Sequence, residues 1–160
     1  MAIRPYAPSD ALAIVELFTE TVHAINCRDY SEAELNVWAP RDYDLARWAA
    51  RLREKRPFVV VDNGTILGFC ELEADGHIDC FYVHKDHQGR GVGQMLYREC
   101  ERRAVANGCA RLYAEVSITA RPFFAKQGFE LIAAQEVVRQ GVVLRNFRME
   151  KALQAAAQPE

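Results

Sequence analysis

The stretch YVHKDHQGRGVGQMLY, Tyr82–Tyr97, decides the fold because it joins an apolar segment to a helix through a loop rich in glycine. Glycines stand at positions 89, 91 and 93, and each costs conformational entropy on folding, so a mere change of direction would need only one. Beyond the loop, apolar side chains at intervals of four predict a helix that ends at Asn107-Gly108. These side chains belong to Val92, Leu96, Cys100 and Ala104.

Upstream of the loop, the sequence changes to the pattern of a β-meander. In FVVVDNGTILGFCELE, from position 58 to 73, two apolar runs flank Asp62-Asn63-Gly64, which predicts a hairpin. Asp75-Gly76 predicts a second turn, and HIDCFYV, from position 77 to 83, reads as a third strand. The loop therefore follows three strands that are joined by tight turns.

Downstream of the loop helix, strands and helices alternate before a last hairpin. RLYAEV, 111–116, has the composition of a buried strand, and TARPFFAKQG, 119–128, predicts a short helix ending at Gly128. FELIAAQEVVR and VVLRNFRME then form two strands around Gln140-Gly141.

The N-terminal third is predicted to be mainly helical. A short strand at Ile3–Tyr6 precedes a helix capped by Ser9 or Asp10. Ser31, with Glu34 three residues later, forms a capping-box pattern, and after Pro40 a further amphipathic segment, RDYDLARWAARLREK, resumes.

The element order is therefore β-α-α-β-β-β-α-β-α-β-β. It predicts an α/β (α+β) fold with a mixed, mostly antiparallel central sheet of about seven strands and about four helices on its faces. At 160 residues the chain is expected to form one domain, 1–151, with a C-terminal tail at 152–160.

Composition excludes several classes of protein. Half of the residues are apolar, about a quarter are charged and the net charge is −2, which argues against nucleic acid or an anionic membrane as a partner. The N-terminal segment MAIRPYAPSD has no long apolar run, so we expect neither a signal peptide nor a membrane span. A cytoplasmic protein is the expectation.

Five cysteines, an odd number without a CxxC pair, suit reduced thiols in the cytoplasm. One array has the residue types of a zinc site, namely His77, Cys80, His84 and His87. If 77–83 is a strand, His77 and Cys80 point to opposite faces, and the expectation is that the chain binds no metal.

A strand, a glycine-rich turn and a helix N-terminus together make an anion site, because the first N–H groups of a helix have no intrahelical partner. The loop lacks the lysine and hydroxyl of a P-loop. A dinucleotide-binding GxGxxG pattern would need glycine at Gln94, although Glu115 stands about where that pattern expects a ribose-binding acid. An oxidoreductase with a dinucleotide cofactor is therefore the weaker alternative.

Gln88-Gly89-Arg90-Gly91-Val92-Gly93 matches the Q/R-x-x-G-x-G/A signature of the GNAT acetyltransferase superfamily. The preceding FYVHKD resembles the family's central strand, and RPFFAKQGF resembles its later helix. The whole predicted element order is also similar to that family, so the resemblance covers Ile3 to Lys151.

The resemblance implies an N-acetyltransferase that binds acetyl-CoA and moves its acetyl group to a primary amine of a small molecule or peptide by direct attack. The loop would hold the pyrophosphate, and the strand Phe81–Val83 would hold the pantetheine arm and meet the acyl oxygen. The family often has a tyrosine where this chain has Phe124 and an asparagine where it has Ser117. These differences leave open which group protonates the departing coenzyme A thiolate. The alternatives are Tyr30, Tyr113 or departure of the thiolate without a proton donor. The implied coenzyme-binding residues are Phe81, Tyr82, Val83, Gln88, Gly89, Arg90, Gly91, Val92, Gly93, Ser117 and Phe124.

For the base that deprotonates the amine, His77 and Asp79 are the candidates. Without a bulge, both lie on the same strand face as Phe81. The pKa of an imidazole suits proton removal at neutral pH. The alternative interpretation is that neither residue is catalytic, with His77 merely exposed and Asp79 in a surface ion pair. Glu71 and Glu73 share a strand face that could bind a cationic amine, although a solvated face is the favoured interpretation.

The acceptor is expected at HAINCRDYSEAELNVWAP, 23–40, where aromatic surface and one anion suit a small amine. The candidate residues are His23, Asp29, Tyr30 and Trp38, although Trp38 in the core and Tyr30 as a helix staple are equally compatible with the sequence. By resemblance, the chain is a possible homodimer. A non-catalytic acyl-CoA binding or sensor domain is the other alternative, since Phe124 has no proton to give.

Overall fold

The computed structural model describes residues 1–154. It contains seven strands and five α-helices in the order β1, α1–α3, β2–β4, α4, β5, α5, β6 and β7. The strands are β1 (Ala2–Pro5), β2 (Phe58–Asp62), β3 (Thr65–Leu72), β4 (Ile78–Val83), β5 (Arg111–Ser117), β6 (Glu130–Arg139) and β7 (Val142–Ala152). The helices are α1 (Ala11–Ile25), α2 (Glu32–Trp38), α3 (Leu45–Lys55), α4 (Val92–Ala106) and α5 (Arg121–Lys126).

The strands form two sheets that meet at one end. One sheet has the antiparallel order β1-β2-β3-β4, and the other has the antiparallel order β5-β7-β6. A parallel bridge joins His77 to Tyr113, and the Tyr113 N–H donates to Gly76 O at 3.1 Å. Strands β4 and β5 therefore run side by side from this bridge and leave a cleft between them further along.

Turn chemistry fixes the two hairpins. Asn63-Gly64 and Gln140-Gly141 both have positive φ at both residues, 49° and 78° in the first and 49° and 77° in the second. Such pairs form the type I′ turns whose twist matches that of antiparallel strands. The predicted hairpins at both places are therefore present.

Side-chain caps fix the starts of α2 and α3. The Glu34 N–H donates to Ser31 Oγ at 3.2 Å, and the Ser31 N–H donates to Glu34 Oε1 at 2.9 Å, so the predicted capping box forms at α2. Asp44 caps α3 by accepting the Arg47 N–H at 3.1 Å. Asp10 precedes α1, but its carboxylate binds Arg4 and the Ala7 N–H instead of capping that helix.

Each side of the sheets carries its own core. Helices α4 and α5 cover one cluster, which includes Leu96, Leu112 and Met149. Helices α1 to α3 cover the other, which includes Ile14, Leu52 and Phe69. The helices are held by burial of apolar area, and the cleft lies where the two sheets part between these cores.

The predicted mixed fold with about seven strands is confirmed, with two differences. The sheet is divided in two by the cleft, and α2 and α3 are separate helices, which makes five. Strand β7 runs to Ala152, one residue beyond the predicted domain end, and residues 155–160 of the predicted tail lie outside the described residues. None of the helices within residues 1–154 has the length and apolar character that a membrane crossing requires.

Candidate active site

A cleft of about 460 Å³ lies between β4 and β5 and continues to the glycine loop before α4. It is formed by strand ends, the start of α4, and the ends of α1 and α2. Its lining includes Thr21, Ile25, Asn26, Trp38, Ile78, Asp79, Phe81, Tyr82, Val83, Gln88, Gly89, Gly91, Gly93, Gln94, Ala114, Glu115, Val116, Ser117, Thr119, Ala120, Phe123 and Phe124.

The β4 edge presents free backbone groups to this cleft. The His84 N–H donates to Leu67 O at 2.7 Å, so His84 and alternate residues before it direct their backbone groups to β3. The backbone groups of Phe81 and Val83 consequently face the cleft. Val83 O accepts hydrogen bonds from Thr21 Oγ1 at 3.1 Å and from Gln88 Nε2 at 2.8 Å. The Phe81 N–H and C=O lie on an edge that an extended ligand can pair with.

The glycine loop turns from β4 into α4 through left-handed conformations. Gly89 has a φ of 72° and Gly91, the N-cap of α4, has a φ of 83°. A Cβ at either position would have no protein atom within 4 Å, so both face open space. Gln88 fastens the start of the loop to the end of β4 through its bond to Val83 O. The loop is therefore held open in front of the helix N-terminus.

The other loop residues have different surroundings. Val92 is 1% exposed and packs in the core beneath α4, so it anchors the helix and does not line the cleft. The Arg90 guanidinium is exposed and donates to His87 Nδ1 at 3.0 Å. Gly93 lies against α5, where a Cβ would come 3.3 Å from Phe123 Cε2.

Helix α5 closes the cleft beside the start of α4, where Phe123 lies against Gly93. Phe124 is 4% exposed, lines the cleft and packs edge-on against Phe81, with ring centroids 5.5 Å apart. Ser117, at the end of β5, accepts the Ala120 N–H at 3.0 Å and so caps the approach to α5. Both predicted positions are in the lining.

A β-bulge at Asp79 changes the predicted arrangement of β4. Cys80 pairs with Glu71 and Ile78 with Leu72, so Asp79 has no partner of its own on β3. The expectation that His77, Asp79 and Phe81 share one strand face is therefore wrong. The carboxylate of Asp79 instead points to α3, where it meets two cations.

Those cations are Arg51 and Lys55, each with a nitrogen 3.0 Å from Asp79 Oδ2. Burial alone would raise the pKa of Asp79, but the hydrogen bond from Lys55 and the charge of Arg51 outweigh it and lower that pKa. Arg51 also binds Glu71 at 2.8 Å. Glu71 is fully buried, so the favoured interpretation of a solvated face was wrong for this residue.

His77 lies just before β4, between two carboxylates and outside the cleft lining. Its Nδ1 is 2.6 Å from Glu73 Oε1, and its Nε2 is 2.6 Å from Glu115 Oε2. Burial lowers the pKa of His77, but the hydrogen bonds to Glu115 and Glu73 outweigh it and raise that pKa. Glu115 does line the cleft, so His77 reaches the cleft only through this carboxylate.

The predicted acceptor residues divide into two groups. Trp38 lines the cleft, and Asp29 lies at its rim, where it accepts the Thr119 hydroxyl at 2.8 Å. His23 instead contacts Ala39 O at 2.7 Å, between α1 and the end of α2. Tyr30 is 7% exposed, packs against Trp38 with ring centroids 5.2 Å apart, and lies outside the lining.

The two tyrosines considered as proton donors have other partners. The Tyr30 hydroxyl donates to Arg145 O and accepts the Ile118 N–H. The Tyr113 hydroxyl donates to Asp75 on the far side of the His77 bridge. Neither belongs to the cleft lining.

The possible zinc array does not come together within residues 1–154. Cys80 is buried beneath α1 and α3, whereas His77 is held by its two carboxylates. A different group, Glu73, His77 and Asp79, has ligand atoms within 4.8 Å of one another. Lys55 Nζ already lies 3.6 Å from Glu73 and 3.0 Å from Asp79, so a cationic side chain occupies that position.

Sequence reasoning missed several polar groups of the cleft, which are Thr21, Asn26, Gln94, Glu115 and Thr119. Glu115 was considered only as a ribose-binding acid. Along β5, buried residues alternate with Tyr113, Glu115 and Ser117, and this pattern could have placed Glu115 on the same strand face as Ser117. The sequence contained no signal that β5 parts from β4 beside it.

Comparisons with known proteins agree with this geometry. The family model described as acetyltransferase (GNAT) domain matches residues 26–153. A crystal structure from Rhodopseudomonas palustris, described as a GCN5-related N-acetyltransferase and as an aminotransferase, class II, is 36% identical, covers 95% of each chain and has a TM-score of 0.90.

Two further proteins are similar over most of the chain. The uncharacterized N-acetyltransferase YafP of Escherichia coli K12 is 29% identical over 92% of this chain and 93% of its own length. The structure of yncA, a putative acetyltransferase from Salmonella typhimurium with its cofactor acetyl-CoA, is 22% identical, covers 99% of this chain and 97% of its own, and has a TM-score of 0.73.

Proposed function

The chain belongs to the GNAT family of acetyltransferases, and from this premise we propose that it transfers the acetyl group of acetyl-CoA to the primary amine of a small molecule. The observation that carries the proposal is the cleft between β4 and β5, which joins an unpaired strand edge to the glycine loop at the start of α4. An elongated ligand with an anionic end fits this combination.

The loop and helix start are suited to the pyrophosphate. Helix α4 has 15 residues, and the first N–H groups of such a helix have no intrahelical partner and lie at its positive end. The left-handed turns at Gly89 and Gly91 leave the space in front of these groups open. The similar yncA structure contains acetyl-CoA, which supports the same coenzyme here.

The β4 edge is suited to the pantetheine arm and the acyl group. The arm carries amide groups that can pair with the free backbone N–H and C=O of Phe81 and with the N–H of Val83, as an added strand would. The Phe81 N–H is our candidate donor to the carbonyl oxygen of the acetyl group. A backbone donor held by a strand needs no rearrangement as negative charge develops on that oxygen.

We assign deprotonation of the amine to Glu115. It lines the cleft, and its Oε2 is held by His77 while Oε1 has no hydrogen-bond partner within residues 1–154. A carboxylate takes the proton that the amine nitrogen loses when its bond to the acetyl carbon forms. Both ring nitrogens of His77 bind carboxylates, so in place of the predicted role as a base we assign to His77 the orientation of Glu115.

Asp79 lines the cleft, and its Oδ1 has no cation partner within residues 1–154, so this oxygen is available to an acceptor. Its lowered pKa keeps it ionised at neutral pH, and Arg51 and Lys55 fix its position. Together with Trp38, it suits an acceptor with a cationic nitrogen and an apolar body. Phe124 has no proton to donate, so no tyrosine at this position protonates the sulfur of CoA. The thiol of CoA is acidic enough for the sulfur to leave as a thiolate.

The test is release of free CoA from acetyl-CoA in the presence of a panel of small amines, with acetyl-CoA and NAD binding measured by calorimetry. Turnover with at least one amine is expected, together with preference for acetyl-CoA. Binding of acetyl-CoA without turnover on any amine would favour the sensor domain, and preference for NAD would overturn the coenzyme assignment. Turnover on peptides alone would contradict the proposal that the acceptor is a small molecule.

A further inference from the structure

The charged side chains that line the cleft all have the same sign. Within residues 1–154, the lining contains two acidic residues, Asp79 and Glu115, and it contains no lysine, arginine or histidine. The cations that balance these two carboxylates therefore lie outside the lining, on the side of each carboxylate that faces away from the cleft.

These cations are shared with further carboxylates. Arg51 and Lys55 both come from α3 to Asp79 Oδ2, each with a nitrogen at 3.0 Å. Arg51 also binds Glu71 at 2.8 Å, and Lys55 Nζ also lies 3.6 Å from Glu73. Two cations are thus divided among three carboxylates, and neither cation is left over for a group inside the cleft.

Each of the two lining carboxylates keeps one oxygen for the cleft. Asp79 meets both of its cations with Oδ2, and Glu115 meets His77 with Oε2. Within residues 1–154, Asp79 Oδ1 and Glu115 Oε1 have no hydrogen-bond or ion-pair partner. A cationic group that enters the cleft therefore finds two anionic oxygens, and the ring of Trp38 in the same lining also favours a cation.

An acidic group that enters the cleft finds no comparable partner. The Thr21 hydroxyl already donates to Val83 O at 3.1 Å, and the Thr119 hydroxyl donates to Asp29 at 2.8 Å. The Phe81 N–H is the donor that we assign to the acetyl oxygen. A carboxylate in this place would lack a cation and would lie beside two like charges, which is strongly unfavourable.

We propose that the acceptor of the proposed acetyl transfer, on which this inference rests, is an amine with no acidic group beside its nitrogen. The cleft rejects the α-amino acid that has the same skeleton. In an α-amino acid the carboxylate is attached to the carbon that bears the amine, so it must enter the cleft together with the nitrogen that reacts.

Asp79 determines this specificity. If its carboxylate is replaced by an amide, Arg51 and Lys55 stay in place with one acid fewer between them. The charge that faces the acceptor then becomes less negative, which weakens the attraction for a cationic amine and relieves the repulsion of a carboxylate. Asp79→Asn is therefore expected to change the preference between the two kinds of acceptor.

The test is CoA release with sets of three acceptors that share a skeleton: an amine, its α-amino acid and the amide of that amino acid. Suitable sets are built on 2-phenylethylamine with phenylalanine, tryptamine with tryptophan, and cadaverine with lysine. For the best set, kcat/KM of the amine should exceed that of the amino acid about a hundredfold or more. The amide should resemble the amine, since it has the size of the amino acid without its charge.

Two variants change the charge of the lining and one serves as control. Asp79→Asn should lower the ratio of the two kcat/KM values about tenfold or more, and so should Ile25→Lys, which adds a cation at a lining position at the end of α1. Asp62→Asn makes the same exchange at the end of β2, outside the lining, and should keep the wild-type ratio. If Asp79→Asn fails to fold, Ile25→Lys decides.

Equal efficiency with the amino acid and the amine would overturn this inference and leave the proposed acetyl transfer standing. An amide that is rejected as strongly as the amino acid would also overturn it, because size and not charge would then exclude the acceptor. Ratios that neither lining variant changes would do the same. Turnover with no member of any set would contradict the proposed function itself, and this inference with it.

Discussion

His77 Nε2 and Glu115 Oε2 lie 2.6 Å apart at the point where the segment before β4 meets β5. Glu73 binds the opposite nitrogen at the same distance, so the imidazole is held between two carboxylates. This contact connects a residue outside the cleft with one that lines it. Substitutions of Glu115 and of His77 separate what each partner does.

Glu115→Gln is expected to lower kcat about a hundredfold, because the amide keeps the size of the side chain but cannot take a proton. Coenzyme binding should be unchanged, since Glu115 contacts His77 beside the start of β4, whereas the glycine loop follows the other end of that strand. Steady-state CoA release with the best amine of the panel gives kcat and KM. Calorimetry with acetyl-CoA gives the binding constant.

Glu136→Gln on exposed β6 is the matched control, and it should leave kcat at the wild-type value. His77→Gln is expected to lower kcat less than Glu115→Gln and to change the pH profile of kcat, since it removes the partner that orients the carboxylate. Full activity of Glu115→Gln across the pH range would show that another group is the base.

The stability that His77 contributes is expected to fall as pH rises. Its ion pairs raise its pKa above the ordinary 6.5, so the folded state binds the proton more tightly than the unfolded chain. The contribution is therefore complete below the ordinary pKa and is lost as pH rises through the raised value. The free energy of unfolding of the wild type minus that of His77→Gln should shrink from about pH 6 to about pH 9.

Urea unfolding at several pH values measures this difference, and NMR titration of the His77 ring measures its pKa directly. If the difference in the free energy of unfolding stays constant over this pH range and the His77 ring titrates at its ordinary pKa, then Glu73 and Glu115 do not stabilise the protonated ring.

Local patterns in the sequence were sufficient for the capping box of α2, the hairpins and the glycine loop, because each depends on residues close together in the chain. Ser31 and Glu34 cap each other across three residues, and Asn63-Gly64 forms its own turn. The open, left-handed conformation of the loop follows in the same way from its glycines. The resemblance that rests on these motifs was confirmed.

The acceptor end of the cleft depends on contacts between distant segments, and the sequence did not reveal them. The bulge that turns Asp79 to α3 is visible only once β3 and β4 are paired. Glu71 is buried because Arg51, twenty positions before it, comes from another element to bind it. The roles of His77, Asp79 and the acceptor residues stay predictions.

Arg51→Met is expected to destabilise the fold, because it leaves the fully buried Glu71 without its cation. Breaking a buried pair typically costs about 3–5 kcal/mol, and the 40% exposure of the Arg51 side chain reduces the expected loss to about 2–3 kcal/mol. Arg47→Met, on the same helix but at an exposed position, is the control and should change the free energy of unfolding by less than about 0.5 kcal/mol. Equal losses in the two variants would show that the Glu71 pair contributes nothing beyond general helix effects.

Gly91→Ala and Gly108→Ala form a matched pair that separates backbone strain from coenzyme binding. Both glycines have positive φ, 83° and 75°, and at both an added Cβ would have no protein atom within 4 Å. Each substitution should therefore cost about 1–2 kcal/mol of stability through the left-handed conformation alone. Gly108 follows the C-terminal end of α4, whereas Gly91 lines the cleft at its N-terminal end.

Only Gly91→Ala is therefore expected to weaken acetyl-CoA binding, by about tenfold or more, because its methyl group enters the open space before the helix N-terminus. Urea unfolding should give similar losses for the two variants, while calorimetry should separate them. Equal affinities in both variants would mean that the coenzyme's phosphates lie elsewhere, and the assignment of the glycine loop would have to be withdrawn.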